Sequence, residues 1–303
     1  MAVLIYFMRD SLPGMMATLR QTSLYFVALG AMIYVFSILI ASLRLRIFLH
    51  LQGIKMRVRD VFRVNLIGYF FSSFLPTSIG GDIVKAIYIS RESGKNTQVY
   101  ISIFIDRFIG MFTIVLIATA AVFAVKDTSG FHLVWLLPVL IVLSLVFIVL
   151  LYNKKFTKKF LPLVNFFIPP KFIHEIRNLY NAVHGYKRHG KDMVYCFILS
   201  LVGQIIAFAV VYFLALGIKS YIPLKIALLV MPIASIVSML PSINGMGPRE
   251  MSIVVMLKPF IGATAAGAIA FLWLGLLLLT SIIGGIVYML AGHYRINIAN
   301  LDE

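Results

Sequence analysis

Leu75-Pro76-Thr77-Ser78-Ile79-Gly80-Gly81-Asp82 and Leu240-Pro241-Ser242-Ile243-Asn244-Gly245-Met246-Gly247-Pro248 are two look-alike interruptions in otherwise hydrophobic sequence. Each sets proline and glycine breakers, followed by charged residues, where an unbroken membrane helix is expected. Hydrocarbon cannot hydrogen-bond exposed backbone, so a helix broken at that depth is tolerated only inside protein or against a polar cavity. Two such breaks in corresponding positions point to a transport site.

Working outward, the 303 residues are 61% hydrophobic, with a mean hydropathy of +0.98. That is too apolar for a soluble domain of this length, and several runs exceed the length a membrane helix needs. A net charge of +16 would suggest a nucleic-acid partner in a soluble protein. Here it is read by where the charges fall relative to the spans, and no nucleic acid is implied. Cys196 is the single cysteine, which excludes an intrachain disulfide and a cysteine-based metal site. Residues 1–7 are apolar but end at Arg9-Asp10, too short for a cleaved signal or a span.

Five apolar runs have spanning length, at 22–43, 98–125, 131–152, 193–217 and 261–290, and the broken stretches occupy 61–90 and 223–258. If each broken stretch enters and returns to the same face, 18 of the 27 Lys and Arg lie on one side, 6 on the other, and Lys85, Arg107 and Arg249 lie within the membrane. The basic side is then cytoplasmic, together with the C-terminus. Span, hairpin, span in 22–125 recurs with opposite orientation in 193–290. The expected fold is therefore an all-α polytopic membrane protein, one integral membrane domain over 1–303, built as an inverted-topology repeat with two re-entrant broken-helix hairpins. The linking part, 131–192, is a span followed by a basic segment. In 171–188 aromatic and aliphatic residues follow helical spacing opposite Lys171, Arg177 and Arg188, so that 153–192 is expected to lie on an anionic leaflet surface.

Asp106-Arg107 falls near the middle of the 98–125 span, where ionisable groups face the protein interior and either pair or bind something. Adjacent helical residues point about 100° apart, so each is expected to find its partner elsewhere. After Gly80-Gly81, Asp82 is expected to cap a half-helix carrying Lys85. After Gly245 and Gly247, Pro248 is expected to open a half-helix carrying Arg249 and Glu250. Two half-helix N-termini with Lys85, Arg107 and Arg249 would form a trap for a phosphate, offset in part by Asp82, Asp106 and Glu250. Thr77, Ser78 and Asn244 would add polar groups at the breaks, and Asn65, Gln204, Ser235 and Ser238 either line a polar path or hydrogen-bond between helices. The plain alternative for the breaks is a kink, and for Asp106-Arg107 a structural contact. The histidines show no pair at metal-ligand spacing and no Ser, His and Asp set assembles, so neither an enzyme site nor a cofactor is implied.

Three motifs together resemble the membrane domain of the lysylphosphatidylglycerol synthase/flippase family. They are Asn65-Leu66-Ile67-Gly68 through Phe74-Leu75-Pro76-Thr77-Ser78-Ile79-Gly80-Gly81-Asp82, then Asp106-Arg107-Phe108-Ile109-Gly110, then Pro241 to Glu250. The resemblance runs from about Leu19 to Leu290. It implies a flippase-like fold that moves an aminoacylated phospholipid between leaflets. The family's lysyltransferase activity belongs to a cytosolic domain that this sequence is expected to lack, and residues 1–7 are expected to be the remnant of a first family helix.

The reading is a transporter of an anionic or aminoacylated phospholipid, or of a polyprenyl-linked precursor, in the cell's inner or plasma membrane. The rival is a membrane-embedded transferase, or the membrane subunit of a lysyl- or glycosyl-transferring system, using Asp82, Asp106 or Glu250 as acid or base. A soluble synthase or transferase and a second copy of the chain are the protein partners this reading admits. The topology is tested in a Cys196→Ser background with one cysteine at Glu175. It should resist an impermeant thiol reagent applied outside intact cells, and labelling there would overturn the assignment.

Overall fold

A computed structural model describes residues 12–75, 80–125, 189–239, 242 and 245–290. Eight helices are described, α1 (Leu12–Arg20), α2 (Leu24–Leu51), α3 (Val58–Ser72), α4 (Gly80–Ser93), α5 (Asn96–Ala124), α6 (Gly190–Gly217), α7 (Leu224–Val237) and α8 (Pro248–Leu290), and no strand occurs among the described residues. Four of them, α2, α5, α6 and α8, are long and apolar enough to cross a membrane. The protein is a multi-pass membrane protein. The expected span at 131–152 and the basic segment up to residue 188 lie outside the described residues, as do Thr77, Ser78 and Asn244.

Helix ends follow from local chemistry. The apolar run read as ending at residue 43 continues as helix to Leu51, because no breaker intervenes before Gly53. There the chain turns left-handed (Gly53 φ 74°), and the N–H groups of Gly53 and Ile54 reach the carbonyls of His50 and Leu49, each at 2.9 Å. This closes the free carbonyls of the last turn. At the end of α6, Lys219 takes the left-handed place (φ 59°), with Lys219 N–H to Leu216 at 3.0 Å and Ser220 N–H to Ala215 at 2.9 Å. The two helices expected to correspond thus stop in the same way.

At 15, 14 and 14 residues, α3, α4 and α7 are too short to cross about 30 Å of hydrocarbon at 1.5 Å per residue. They flank the two Leu-Pro breaks. α8 contains a further break at Gly262 (φ 77°, ψ 164°), three residues after Pro259, so the chain after the second break runs as a short helix and then a long one. This bend stands where the sequence suggested the boundary between 223–258 and 261–290.

The two sequence halves pack crosswise. α2 lies against α6, α3 against α8, and α5 against α7, while α3–α4 and α7–α8 neighbour within their own halves. The core includes the fully buried Leu214 of α6, Leu229 and Met231 of α7 and Ile253 of α8. Outward faces carry Tyr25, Met32 and Phe36 of α2, Tyr195 and Ile198 of α6, and Ile282 and Met289 of α8, all exposed and apolar as lipid contact requires.

Close backbone approach sets the position of α3. A Cβ on Gly81 would collide with the Gly68 carbonyl and the Ser72 hydroxyl, and one on Gly284 would collide with the Leu66 carbonyl. Residues 65–68 are thus gripped from both sides, by α4 and by α8, through glycines. Gly284→Ala should lower thermal stability by about 1–3 kcal/mol, as overpacking does. Gly275→Ala, on the same helix with open space at its Cβ, should leave it unchanged. Equal melting temperatures for both variants in detergent would remove this constraint.

Candidate functional site

Four basic and three acidic side chains meet within the helix bundle, and each finds an opposite charge. Arg44 of α2 grips Asp106 of α5 with two parallel bonds, Nε to Oδ1 at 2.6 Å and Nη2 to Oδ2 at 2.9 Å. Its third nitrogen, Nη1, donates to Ser200 Oγ of α6 at 2.5 Å, and Ser200 Oγ lies 2.7 Å from Thr113 Oγ1 of α5. Bidentate guanidinium–carboxylate pairing has both the charge and the geometry for a site away from water. The cluster ties α2, α5 and α6 at one level. Beside it Asn65 of α3 donates to Ser42 Oγ at 2.8 Å, which settles Asn65 as an interhelical hydrogen bond.

Asp82 lies in the first turn of α4 rather than as its cap, because the helix already begins at Gly80. A carboxylate in a first turn is favoured by the helix dipole. It receives Lys85 Nζ at 2.9 Å and the Arg107 guanidinium of α5. Lys85 Nζ also stands 5.9 Å from the centre of the Tyr69 ring. Arg107 and Asp106, neighbours in sequence, therefore serve different partners, as their angular separation on the helix requires.

At the second break, α8 opens at Pro248, the position where a missing N–H costs nothing. Gly245 and Gly247 precede it with positive φ (73° and 98°), and a Cβ at Gly245 would press on Ser238 at 2.5 Å. Glu250 folds back so that Oε2 accepts the Gly247 N–H at 2.6 Å, while Oε1 accepts Arg249 Nε at 3.0 Å and Nη2 at 2.8 Å. The first is the N3-to-cap half of a capping box. Glu250 is 1% exposed, so its pairing is what allows its charge to stay there.

A cavity of about 270 Å³ lies between α2, α3, α6, α7 and α8. Arg44 and Arg249 line it from different halves of the sequence, together with Tyr34, Tyr69, Gln204 and Trp273. Ser37, Ser200, Ser235 and Ser238 add hydroxyl groups to its wall, and no Asp or Glu lines it among the described residues. The expected set Lys85, Arg107 and Arg249 is thus divided. Arg249 shares the cavity with Arg44, whereas Lys85 and Arg107 pair with Asp82 and are not among its lining residues. Gly80 and Gly81 lie buried at the start of α4. Arg44, counted from sequence among the cytoplasmic charges, is 8% exposed inside the bundle. The signal for it was present, since nothing between Leu43 and Leu51 breaks a helix. Tyr34, Tyr69 and Trp273 carried no signal, being ordinary aromatics on apolar helices.

Among the described residues no three His, Cys, Asp or Glu side chains gather as a metal site would need. The arrangement offers cationic and neutral hydrogen-bond donors to an anion in a partly desolvated space.

The sequence model of one protein family, described as Lysylphosphatidylglycerol synthase TM region, matches residues 1–285. The match begins ahead of Leu19, so the first residues are part of the family's region rather than outside it. No curated protein and no solved structure matches the chain.

Breaking the α2–α5 pair from one side should be costly, since the partner is left charged and unpaired. Arg44→Met alone should destabilise by about 3 kcal/mol or more, whereas Arg44→Met with Asp106→Leu should recover most of the loss. A double-mutant cycle on thermal unfolding measures this, and additive losses would refute the coupling.

Proposed function

The chain belongs to the lysylphosphatidylglycerol synthase transmembrane-region family, a membrane family with a lipid-related role, and from that premise we propose that it is a flippase-like transporter. It passes the headgroup of an anionic or aminoacylated phospholipid, or of a lipid-linked precursor, between leaflets while the acyl chains stay in lipid. The observation that carries this reading is the cavity faced by Arg44 and Arg249, one from each half of the sequence, with donors on its walls and no carboxylate among the described residues that line it. A charged headgroup at that depth needs such donors to replace its water.

The crosswise packing supports the inverted repeat on which the mechanism rests. If α2 corresponds to α6, α3 to α7, and α5 to the long part of α8, a two-fold operation exchanges the α3–α8 contact with the α7–α5 contact and maps α2–α6 onto itself. Two halves so related can rock about a central site and open it to either face in turn. The breaks then behave as re-entrant hairpins, and the basic loops and C-terminus face the cytoplasm of an inner-membrane protein. Asp82, shared by Lys85 and Arg107, is a pairing that can be remade as α4 and α5 shift.

The transferase reading finds less support. Asp82, Asp106 and Glu250 are each committed to an ion pair, and none lines the cavity where a reacting headgroup would sit.

The test is headgroup-specific flipping in proteoliposomes alongside the thermal stability of each variant. Arg249→Gln should lower the flipping rate about tenfold or more, as loss of a charge-assisted hydrogen bond does, and Arg249→Lys should restore only part, lacking the planar fork. Unchanged flipping by Arg249→Gln, or no flipping of any lipid by the wild type, would overturn the proposal.

A further inference from the structure

Charges inside the bundle can be counted once those at its ends are set apart. Arg46 reaches the Met56 carbonyl beyond the end of α2 at 3.0 Å, and Arg63 pairs with Asp60 near the start of α3. Lys191, Asp192 and Lys225 stand in the first turns of α6 and α7, and Lys258 adjoins the Pro259 break of α8. Between these ends lie Arg44, Lys85, Arg107 and Arg249 against Asp82, Asp106 and Glu250. One positive charge is in excess. The apolar run 131–152 and the break residues 76–79 and 240–247 contain no Asp, Glu, Lys or Arg to cancel it. The pairing places the excess. Arg44 meets Asp106 and Arg249 meets Glu250 one to one, whereas Asp82 accepts both Lys85 and Arg107. Arg107 stands about 16 Å along α5 from Asn96 at 1.5 Å per residue, near the middle of the hydrocarbon. The side chains of Asp82, Lys85 and Arg107 are 17%, 18% and 31% exposed, so water screens the excess only in part.

We propose that this excess charge makes transport electrogenic, so that the membrane potential drives it. The inference rests on the flippase reading and supplies its driving force. A headgroup with one net negative charge cancels the excess, and the loaded bundle then turns its site from one face to the other as a neutral body. The empty bundle returns carrying its positive charge through the field. With the cytoplasm negative, the field favours the empty site open to the cytoplasm, where it loads, and the full cycle carries one negative charge outward. Each interior carboxylate is already held in an ion pair, so none is free to take a proton or a metal cation across with the lipid. The charge of the lipid therefore crosses uncompensated. A potential of about 100 mV acting on one elementary charge biases its distribution about 50-fold. A zwitterionic lipid leaves the excess in place, and a lipid of net positive charge adds to it. Both make the loaded site harder to turn, because charge at that depth is costly.

In proteoliposomes of phosphatidylcholine, a trace of acyl-labelled phosphatidylglycerol reports its leaflet by access to an impermeant quencher, while potassium and valinomycin set the potential. With the lumen negative by about 100 mV, the wild type should raise the outer-to-inner ratio of this lipid about 50-fold. Insertion in both orientations does not matter, because a ratio at equilibrium depends only on the charge moved. Acyl-labelled phosphatidylethanolamine, which has no net charge, should stay evenly divided. Lys85→Gln removes the excess and leaves Asp82 to Arg107. It should raise the flipping rate of phosphatidylethanolamine relative to phosphatidylglycerol about tenfold or more over the wild type, with its melting temperature measured alongside. A phosphatidylglycerol ratio that ignores the potential while flipping continues overturns the inference and leaves the flippase reading intact. A folded Lys85→Gln with the wild-type preference overturns the placing of the charge at Asp82. No flipping of any lipid by the wild type removes the flippase reading, and the inference with it.

Discussion

Charge buried within a membrane bundle has to be matched, and the Arg44–Asp106 pair is where this protein meets that constraint most completely. Two charges withdrawn from water lose several kcal/mol of hydration each, and their attraction offsets this only when geometry is good and the remaining donors are used. Here both carboxylate oxygens take a guanidinium hydrogen, the third nitrogen is used by Ser200, and Ser200 is tied to Thr113. The pair joins α2 to α5 across 62 positions of sequence, and Ser200 brings in α6. Since α2 also packs on α6, the level of this cluster sets the register of three of the four spanning helices.

The second constraint is steric. Glycines at 81 and 284 let α4 and α8 approach the backbone of α3 so closely that any side chain would collide. This close packing substitutes for a hydrophobic force, which is absent between helices already surrounded by lipid tails. α3 ends just before the first Leu-Pro break, and α8 starts just after the second. The broken backbone can then find partners in protein, as the Glu250 carboxylate does for the Gly247 N–H.

Function follows from an asymmetry between the charges. Acids and bases are nearly balanced in the interior, yet among the described residues the cavity wall carries arginines and no acid. Asp106 and Glu250 orient the guanidinium groups of Arg44 and Arg249 by two hydrogen bonds each. A wall of this kind offers hydrogen-bond donors and positive charge to an anion. The pairs around Asp82 are not part of that wall and link α4 to α5.

Much of the fold was legible in the sequence, and the physical reason is locality. Hydropathy over some twenty residues, the breakers at 75–81 and 240–248, and Pro248 as a helix start are all energies of a segment with its own backbone and solvent. They placed the start of α2, both ends of α5 and α6, the long part of α8 and the half-helix after Gly247 within a few residues of where they stand. The separate partners of Asp106 and Arg107 were legible too, from helical angle alone. The end of α2 lies beyond the apolar run 22–43, because Arg44 and Arg46 interrupt hydropathy but not the helix, which persists until Gly53 closes it. What only the tertiary structure decided is which charges meet. Arg44 is buried because α5 and α6 supply Asp106 and Ser200, and it shares a cavity with Arg249 because α2 and α8 border the same space. Coulomb energy and cavity shape depend on distances between residues remote in the chain, and no local pattern in the sequence carries those distances.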